Sequence, residues 1–365
     1  MDISIPYYED LSRISNSNIG WFLNKGPAFL HKMLTDPPPE EKNATLERGT
    51  MIHEYILQPE EFQKDYVVWD KSRPASAQQE AFCQALANSI EIEPNKAVLD
   101  AYKKSYSTIG KSEDKMLSEG LKIASTLKDY IDFLKANDGR TMISPWDVKM
   151  LEKIKHNIQS HKLAANIIWP RNSRVRGLDT EDFVPVTGDP GISPISSYHE
   201  FHINWEWKWE VPSKSSFGDV KLPDDNATVK CKSLLDGLTL DFKNKKAIIY
   251  DLKTTQKLWH FEESIEQYDY LRQLNYYKKA VQWYLENECG IDLTNEFWLF
   301  EFYIIGIDTT GSYEIRVFKI DELTVSRRNP IIFYALGAIA WHQETGKWNH
   351  SREYYEGDGA ETLNL

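Results

Sequence analysis

Polar and apolar side chains alternate along residues 199–210 more cleanly than anywhere else in the chain. The apolar face comprises Phe201, Ile203, Trp205, Trp207 and Trp209. Because successive side chains of a β-strand point to opposite faces, this period of two predicts a strand with one buried face. The tryptophans are then expected to fill the core rather than to form a platform for stacked bases.

Two further strands are predicted on either side of a short polar segment. Residues 233–240 place three leucines and one acid on the same face, and the apolar run 247–250 leads into 251–253. The connection 241–246 contains Asn244, a residue type that tolerates left-handed backbone dihedrals, so it predicts a hairpin. With the alternating segment in front of it, this hairpin predicts a three-stranded meander.

The remaining periodic segments complete an α/β fold. Helices are predicted at 48–57, 265–288 and 330–346, strands at 296–305 and 313–320, and helices with charged faces at 76–92, 97–105, 113–137 and 145–168. This order predicts a central mixed β-sheet flanked by helices.

The amino-terminal helices with charged faces carry no cluster of catalytic residue types, so we expect them to form a helical subdomain beside the cleft. The predicted organisation is 1–70 as the amino-terminal part of the core, 71–170 as the helical subdomain, and 171–365 as the sheet with its covering helices. Because the helix 48–57 must meet the sheet, one intertwined unit is favoured over two separate domains.

A carboxylate and an ammonium group stand side by side at the exit of a predicted strand. Asp251 and Lys253 are two residues apart, so their side chains share a face. Asp236 is the single acid among the leucines of the preceding strand. If Asp236 lies opposite Asp251 or Lys253 in the hairpin, all three side chains share one face of the sheet. If Asp236 lies opposite Leu252, its side chain lies on the other face.

Helices supply further candidates. Gly49 lies one turn before His53 and would allow close backbone packing there, which makes His53 a candidate imidazole ligand. Gln273 and Tyr277 are four residues apart and share a helix face, so they could reach over the cleft together. Glu200, on the first core strand, is a candidate additional acid.

Each of these residues also has a structural interpretation. Asp236 could cap the hairpin or pair with a lysine, His53 could be a hydrogen-bonded core histidine, and Tyr277 could belong to an aromatic core with Tyr276 and Tyr284. The functional interpretation depends on all of them occurring together and in order.

That order resembles the PD-(D/E)XK nuclease superfamily, specifically its RecB-type branch and the exonuclease VIII (RecE)-like nucleases. Residues 49–53 resemble the G-x-x-x-H helix of that branch, Asp236 its lone strand acid, 251–253 its D-x-K, and 273–277 its Q-x-x-x-Y. Weaker similarity lies at 14–17, 26–28, 57–60 and 346–348. The chain departs from the pattern in an enlarged helical region between about 75 and 165 and in long loops around 171–197 and 211–227.

The resemblance implies a restriction-endonuclease-like core and metal-dependent cleavage of DNA. Magnesium or manganese would be held by His53, Asp236, Asp251 and the carbonyl of Leu252, and a nitrogen ligand favours manganese somewhat. Apart from the resemblance, the position of Glu200 on the first core strand makes it a candidate further metal ligand. Catalytic roles would fall to Asp236, Asp251, Lys253, Gln273 and Tyr277. Lys253 would orient or deprotonate the attacking water and neutralise charge, while Gln273 and Tyr277 would position the DNA backbone or support Lys253.

Composition limits the cofactors and partners. A net charge of −12 argues against a general nucleic-acid coat, so DNA contacts are expected only in a local groove, with Arg48, Lys278 and Lys279 as candidates together with Arg171, Arg174 and Arg176. Three scattered cysteines fit a reducing cytosol and cannot build a four-cysteine iron–sulfur cluster. No apolar run approaches the ~20 residues of a membrane span and no signal sequence is visible, so a cytoplasmic location in a bacterial or phage-infected cell is expected.

The function expected from the resemblance is an exonuclease that processes DNA ends in recombination or phage-type replication. A single-strand annealing recombination protein and further copies of the chain are the candidate protein partners. Two alternatives remain open: an endonuclease of the same chemistry, in a structure-specific or defence role, and a non-catalytic DNA-binding module on a nuclease scaffold. The second would predict the loss of one ligand position, yet His53, Asp236, Asp251 and Lys253 are all present.

Overall fold

The computed structural model describes residues 5–39, 43–170, 174–176, 195–209 and 226–360. Its helices are α1 (Asn16–Thr35), α2 (Ala44–Leu57), α3 (Pro59–Asp65), α4 (Ala77–Ala87), α5 (Pro94–Ser105), α6 (Glu113–Thr126), α7 (Lys128–Lys135), α8 (Pro145–Ser160), α9 (Lys162–Ile168), α10 (Phe261–Gln267), α11 (Tyr270–Asn287), α12 (Glu322–Ser326), α13 (Asn329–Thr345) and α14 (Arg352–Glu356), with a 3-10 turn at Leu258–His260. Its strands are β1 (Tyr66–Val68), β2 (Thr141–Ile143), β3 (Arg174–Arg176), β4 (Ile195–Trp209), β5 (Ala227–Asp241), β6 (Lys246–Thr255), β7 (Leu299–Asp308) and β8 (Ile315–Ile320).

The main sheet has the order β3-β4-β5-β6-β7-β8 and mixes both strand directions. Strands β4, β5 and β6 run antiparallel as the predicted meander, β6 and β7 are parallel, and β8 returns antiparallel to β7. The short β3 is parallel to β4. The prediction of a central mixed sheet flanked by helices is confirmed.

The hairpin between β5 and β6 adopts one of the two registers that align the candidate residues. Gly237 pairs with Tyr250 and Asp241 with Lys246. Continued by one residue, this register places Asp236 opposite Asp251. The turn differs from the prediction in one detail, because Lys245, with φ of 50°, takes the left-handed conformation instead of Asn244. Asn244 instead donates its backbone N–H and its side-chain amide to the carboxylate of Asp241, at 2.9 and 2.7 Å.

The alternating face of β4 lies in the core, as its pattern predicts. Trp205, Trp207 and Trp209 are all buried. Trp207 and Trp209 stack with each other and contact Phe333 of α13, and the indole N–H of Trp205 donates to the hydroxyl of Ser233 at 3.1 Å. These rings are therefore core residues rather than a surface for bases.

Helices α11 and α13 cover this part of the sheet. The apolar stripe of α11 includes Leu274, Tyr276, Ala280, Val281 and Leu285, all buried in the same cluster as the β4 and β5 side chains. Helix α13 follows the predicted segment and ends at Gly346, whose φ of 68° is the left-handed conformation common after a helix. The sheet and these helices form the core that positions the candidate site.

The prediction of one continuous helix over 265–288 is wrong, because two helices form there. It is divided into α10 and α11 at Asp269, which has φ of 48° and ψ of 53°. The carboxylate of Asp269 accepts from the backbone N–H of Arg272 at 3.3 Å and forms an ion pair with Arg328 at 2.8 Å. The break therefore caps α11 and turns the chain before it.

The chain divides into two compact units, one comprising 1–59 with 153–365 and the other 60–152. The second unit packs α4 to α7 around a cluster that includes Phe82, Val98, Tyr102, Met116 and Ile131, and it also contains the parallel pair β1–β2. Its bounds differ from the predicted 71–170, because α9 and the carboxyl-terminal part of α8 group with the sheet. The predicted segment 113–137 forms two helices, with a break at Leu127.

Among the described residues, no helix combines the length and the apolar character needed to cross a membrane.

Candidate active site

The two acids of the hairpin lie at its open end, where β5 and β6 continue beyond their last paired residues. Asp251 is 1% exposed and Asp236 is 9% exposed. The carboxylate of Asp236 accepts a hydrogen bond from the backbone N–H of Leu252 at 2.6 Å, which fixes it across the strand from Asp251. The shared face predicted for Asp236, Asp251 and Lys253 is the face on which their side chains meet.

Glu200 joins Asp236 through a local distortion of β4. The pairs His199–Gly237 and Phe201–Leu235 flank Glu200, which itself is left out of the ladder. Its φ of 47° is a left-handed conformation that a residue with a Cβ adopts only at a cost. Such strain is typical of sites where a side chain must be aimed, and here it directs the carboxylate toward Asp236.

His53 reaches the same place from α2. The helix begins with Asn43, whose side chain accepts from the N–H groups of Thr45 and Leu46, and it buries Ile52 and Ile56. Nδ1 of His53 lies 3.7 Å from Oδ2 of Asp236. Potential ligand atoms of His53, Glu200 and Asp236 all lie within 4.8 Å of one another, which is a separation that one cation can bridge.

Close packing of α2 against the sheet brings His53 this near. A Cβ on Gly49 would lie 3.4 Å from the hydroxyl of Thr254 on β6, so the glycine predicted for close approach does face that strand. At the other end of the helix, the carbonyl of Leu57 lies 3.0 Å from one ring nitrogen of His199, whose second nitrogen is 2.9 Å from the carbonyl of Ile168. The buried His199 thus connects α2, α9 and β4.

Lys253 and Gln273 hold Asp251 from two sides. Nζ of Lys253 lies 2.5 Å from Oδ2 of Asp251. The side-chain amide of Gln273 donates to Oδ1 of Asp251 at 3.0 Å and to the hydroxyl of Tyr277 at 2.8 Å. The two α11 residues therefore lie together, as their spacing predicts: Gln273 contacts Asp251 rather than Lys253, and Tyr277 contacts Gln273.

Three carboxyl groups lie close together in this site, and the pKa of each is raised. Burial raises the pKa of Glu200 well above its ordinary value, and the charges of Asp236 and Asp251 raise it further. Burial also raises the pKa of Asp251 to about 6, although the ammonium of Lys253 opposes that rise. The pKa of Asp236 is raised by burial against the opposing effects of Lys253 and the Leu252 N–H. The protein groups therefore leave these carboxylates short of positive charge.

The two basic side chains, His53 and Lys253, also suit a cation site. Burial, followed by the charge of Lys253, lowers the pKa of His53 to about 4, so the imidazole is neutral at neutral pH and keeps a lone pair for a metal. Burial alone would lower the pKa of Lys253, but the carboxylates of Asp251 and Asp236 outweigh it and raise that pKa. One imidazole and two carboxylates are a donor set that fits magnesium or manganese, and the ammonium of Lys253 lies beside them.

The structure brings most of the predicted site residues together. His53, Glu200 and Asp236 form the close cluster. Asp251 lies outside that cluster, where it accepts a hydrogen bond from Gln273 and pairs with Lys253. Leu252 contributes both backbone groups, since its N–H donates to Asp236 and its carbonyl accepts a hydrogen bond from His53.

The predicted DNA-contact residues are separated by the fold. Arg48 lines a cavity next to the end of β6. Lys278 instead forms an ion pair with Glu322 at 2.7 Å, and the ammonium of Lys279 lies 5.1 Å from the ring centre of Phe333. These two lysines contact groups of α12 and α13, and their expected role in binding DNA stays a prediction. Arg171 lies outside the described residues, as do the side chains of Arg174 and Arg176.

Sequence reasoning missed three residues near the site. The alternating pattern assigns His199 no role beyond its place on the strand, and no local signal distinguishes a histidine whose two ring nitrogens each lie beside a carbonyl. The predicted helix 265–288 runs through Tyr268 and Tyr270, whereas in the structure they flank the break at Asp269 and stack with ring centres 5.7 Å apart. The Tyr268-Asp269-Tyr270 sequence does contain a helix-capping acid, which was the signal available.

No family model matches the chain, and no curated protein matches it. A solved structure from Eubacterium rectale, described as a "Putative exonuclease", aligns over 100% of this chain and 96% of that chain, with 11% sequence identity and a TM-score of 0.43. A TM-score of this size is too low to identify a shared fold.

Proposed function

We propose that this protein is a divalent-metal-dependent nuclease that hydrolyses phosphodiester bonds in DNA. The observation that carries the proposal is the convergence of His53, Glu200 and Asp236 within 4.8 Å, beside the buried pair of Asp251 and Lys253. These residues come from one helix and three strands. Buried carboxylates that lack balancing charge are costly, so their collection in one place favours a cation-binding role over a structural one.

His53, Glu200 and Asp236 would hold magnesium or manganese, with the carbonyl of Leu252 and the carboxylate of Asp251 adjacent. A divalent cation there supplies positive charge to the phosphate and lowers the pKa of water. Oxygen ligands dominate the set, as hard cations require. The side chain of His53 is 23% exposed, so the cluster is reachable from solvent.

Of the other residues, Lys253 would act on the phosphate, and Gln273 and Tyr277 would position Asp251. Lys253 places an ammonium beside the acids, where it neutralises the negative charge that develops on phosphate as the bond is cleaved, and electrostatic stabilisation of this kind is usually the largest contribution to rate. Gln273 fixes the orientation of Asp251 through Oδ1, and Tyr277 in turn fixes Gln273. Gln273 and Tyr277 are therefore positioning residues.

The finer assignment follows the motif order. The G-x-x-x-H, lone strand acid, D-x-K and Q-x-x-x-Y elements meet at one site, which supports the proposal of a PD-(D/E)XK nuclease of the RecE-like type that digests DNA from ends. Labelled linear and covalently closed circular DNA separate this proposal from the endonuclease alternative. We expect linear DNA to be degraded and both single-stranded and duplex circles to survive, whereas cutting of either kind of circle would support the endonuclease.

The central test compares the wild type with Asp251→Ala and Lys253→Ala on linear DNA, with and without Mg²⁺ or Mn²⁺. Each substitution should reduce the rate by at least ~10², the scale for removing a preorganised charge at a reaction centre. Matched controls lie at the other end of the same hairpin: Asp241→Ala, and Lys246→Ala, which removes an ion pair with Glu301. Wild-type cutting by both site variants would overturn the proposal.

Metal binding is tested separately from cleavage. Calorimetric titration of the wild type with Mn²⁺, without DNA, should show a site that Glu200→Gln weakens. A Glu200→Gln protein that binds Mn²⁺ as the wild type does would remove Glu200 from the ligand set.

A further inference from the structure

A cavity of about 350 Å³ opens at the carboxyl end of β6. Thr254 and Thr255, which directly follow Lys253, form one wall, and Thr45 and Arg48 of α2 form another. The chain from Lys257 through α10 to the start of α11 closes the third side. Its volume lies at the lower end of the roughly 300–1,000 Å³ typical of small-molecule sites, a size suited to one nucleotide unit.

The cavity shares a wall with the proposed active site. Tyr270 lines the cavity, and its ring centre lies 5.0 Å from Nζ of Lys253. Tyr270 stacks on Tyr268 with an angle of 23° between their planes, and Tyr268 is 59% exposed. An aromatic surface thus extends from the reacting centre to solvent along the cavity wall.

The chemistry of the lining suits a nucleotide. Arg48 and Lys257 bring two cations for phosphate, and Glu263 brings one acid. Hydroxyl groups of the threonines can hydrogen-bond to sugar or base edges, while aromatic rings accept the face of any base. An apolar metabolite would leave the hydroxyl and charged groups unused, and a free phosphate would leave the rings unused.

Resting on the nuclease function proposed above, we propose that this cavity holds one unpaired nucleotide of the strand being cut, so that the enzyme acts on single-stranded DNA. A base within a duplex is stacked and paired, and moving it into a cavity costs a few kcal/mol. An unpaired base can instead stack on Tyr268. The neighbouring phosphodiester would then lie over Lys253 and the acids.

The break in the helix at Asp269 creates this surface. Its left-handed conformation and its ion pair with Arg328 turn Tyr268 and Tyr270 so that their rings stack, which residues two apart on a continuous helix do not do. The strained position is therefore explained by the cavity wall that it builds.

Binding of fluorescein-labelled dT15 and of a blunt hairpin duplex, measured by anisotropy in EDTA, tests the assignment without cleavage. The wild type should bind dT15 at least about 10-fold more tightly than the duplex. Tyr268→Ala should weaken dT15 binding about 10-fold, the scale of one base–aromatic stack, and Tyr268→Phe should restore it. The matched control is Phe297→Ala, an aromatic residue that is 80% exposed near Leu299, where β7 pairs with the opposite end of β6.

Kinetics with Mn²⁺ give a second readout, in which Tyr268→Ala raises KM for dT15 more than it lowers kcat. Equal affinity of the wild type for duplex and dT15, or a Tyr268→Ala protein that behaves as Phe297→Ala does, would overturn the cavity assignment and leave the nuclease proposal standing. Tyr268-dependent binding of dT15 by a wild type that cleaves no DNA would overturn the nuclease proposal and leave the cavity as a binding site for an unpaired nucleotide.

Discussion

A methyl group at Gly237 would collide with the ring of Tyr250, its partner across the β5–β6 hairpin. The ideal Cβ would lie 1.9 Å from Cζ and 2.0 Å from Cε1 of that ring, and Tyr250 is fully buried. Gly237 follows Asp236 and Tyr250 precedes Asp251. The same register that brings the two acids together therefore lays the ring over the glycine, so this contact is a probe of the site.

The expected cost of Gly237→Ala is about 3 kcal/mol of unfolding free energy, at the upper end of overpacking effects of about 1–3 kcal/mol, because the ring must move by more than 1 Å in a packed core. In a Tyr250→Val background the ring is absent. There the same substitution should be neutral or stabilising by about 0.5 kcal/mol, since alanine loses less backbone entropy than glycine. The coupling energy is then about 3 kcal/mol.

The assay is a double-mutant cycle in which urea unfolding is followed by circular dichroism for the wild type, the two single variants and the double variant. Val keeps a strand-forming residue at position 250, so the cycle isolates the ring. A coupling energy below about 0.5 kcal/mol would mean that Gly237 and Tyr250 are not opposed. The alignment of Asp236 with Asp251 would then be lost with that register.

Three other substitutions give independent checks. Tyr250→Phe should stabilise the protein by about 1 kcal/mol in the same urea assay, because the buried hydroxyl has no hydrogen-bond partner among the described residues, and destabilisation would contradict this. Gln273→Leu should lower the cleavage rate about 10- to 100-fold with little change in fold by circular dichroism, as expected when the partner that orients Asp251 is lost, and an unchanged rate would refute its positioning role. Burial alone would raise the pKa of Asp308, but its hydrogen bonds, led by the one from Ser312, outweigh burial and lower that pKa. The stability that Asp308 adds over Asp308→Asn should therefore be full above pH ~4 and decline as the pH falls through the lower folded-state pKa. A difference in thermal unfolding between the two proteins that grows on acidification would contradict this.

The sequence predicted the features that depend on which face a side chain takes. On β4 the period of two placed the tryptophans in the core, and on β6 the spacing of Asp251 and Lys253 placed both on one face. These inferences succeed because the direction of a side chain on a strand follows from position alone. The pair Gln273 and Tyr277 succeeded for the equivalent reason on a helix.

Features that depend on a distant partner were missed. The local pattern around Asp269 continues as a helix, and its break is stabilised by Arg328, which is far along the chain. Lys278 and Lys279 resemble a solvated basic face, yet Glu322 pairs with one and the ring of Phe333 covers the other. A local window of sequence contains neither partner.

By itself the sequence determined the strand faces, the hairpin and the order of residue types that a metal-dependent nuclease needs. Only the tertiary structure decided which of the two allowed registers the hairpin adopts, that Glu200 joins His53 and Asp236 in the close cluster, and that Asp251 is held by Gln273 and Lys253. The physical reason is that backbone geometry fixes directions over a few residues, whereas ligand distances depend on how α2, α11 and the sheet pack together. That packing is set by buried side chains contributed from the whole length of the chain.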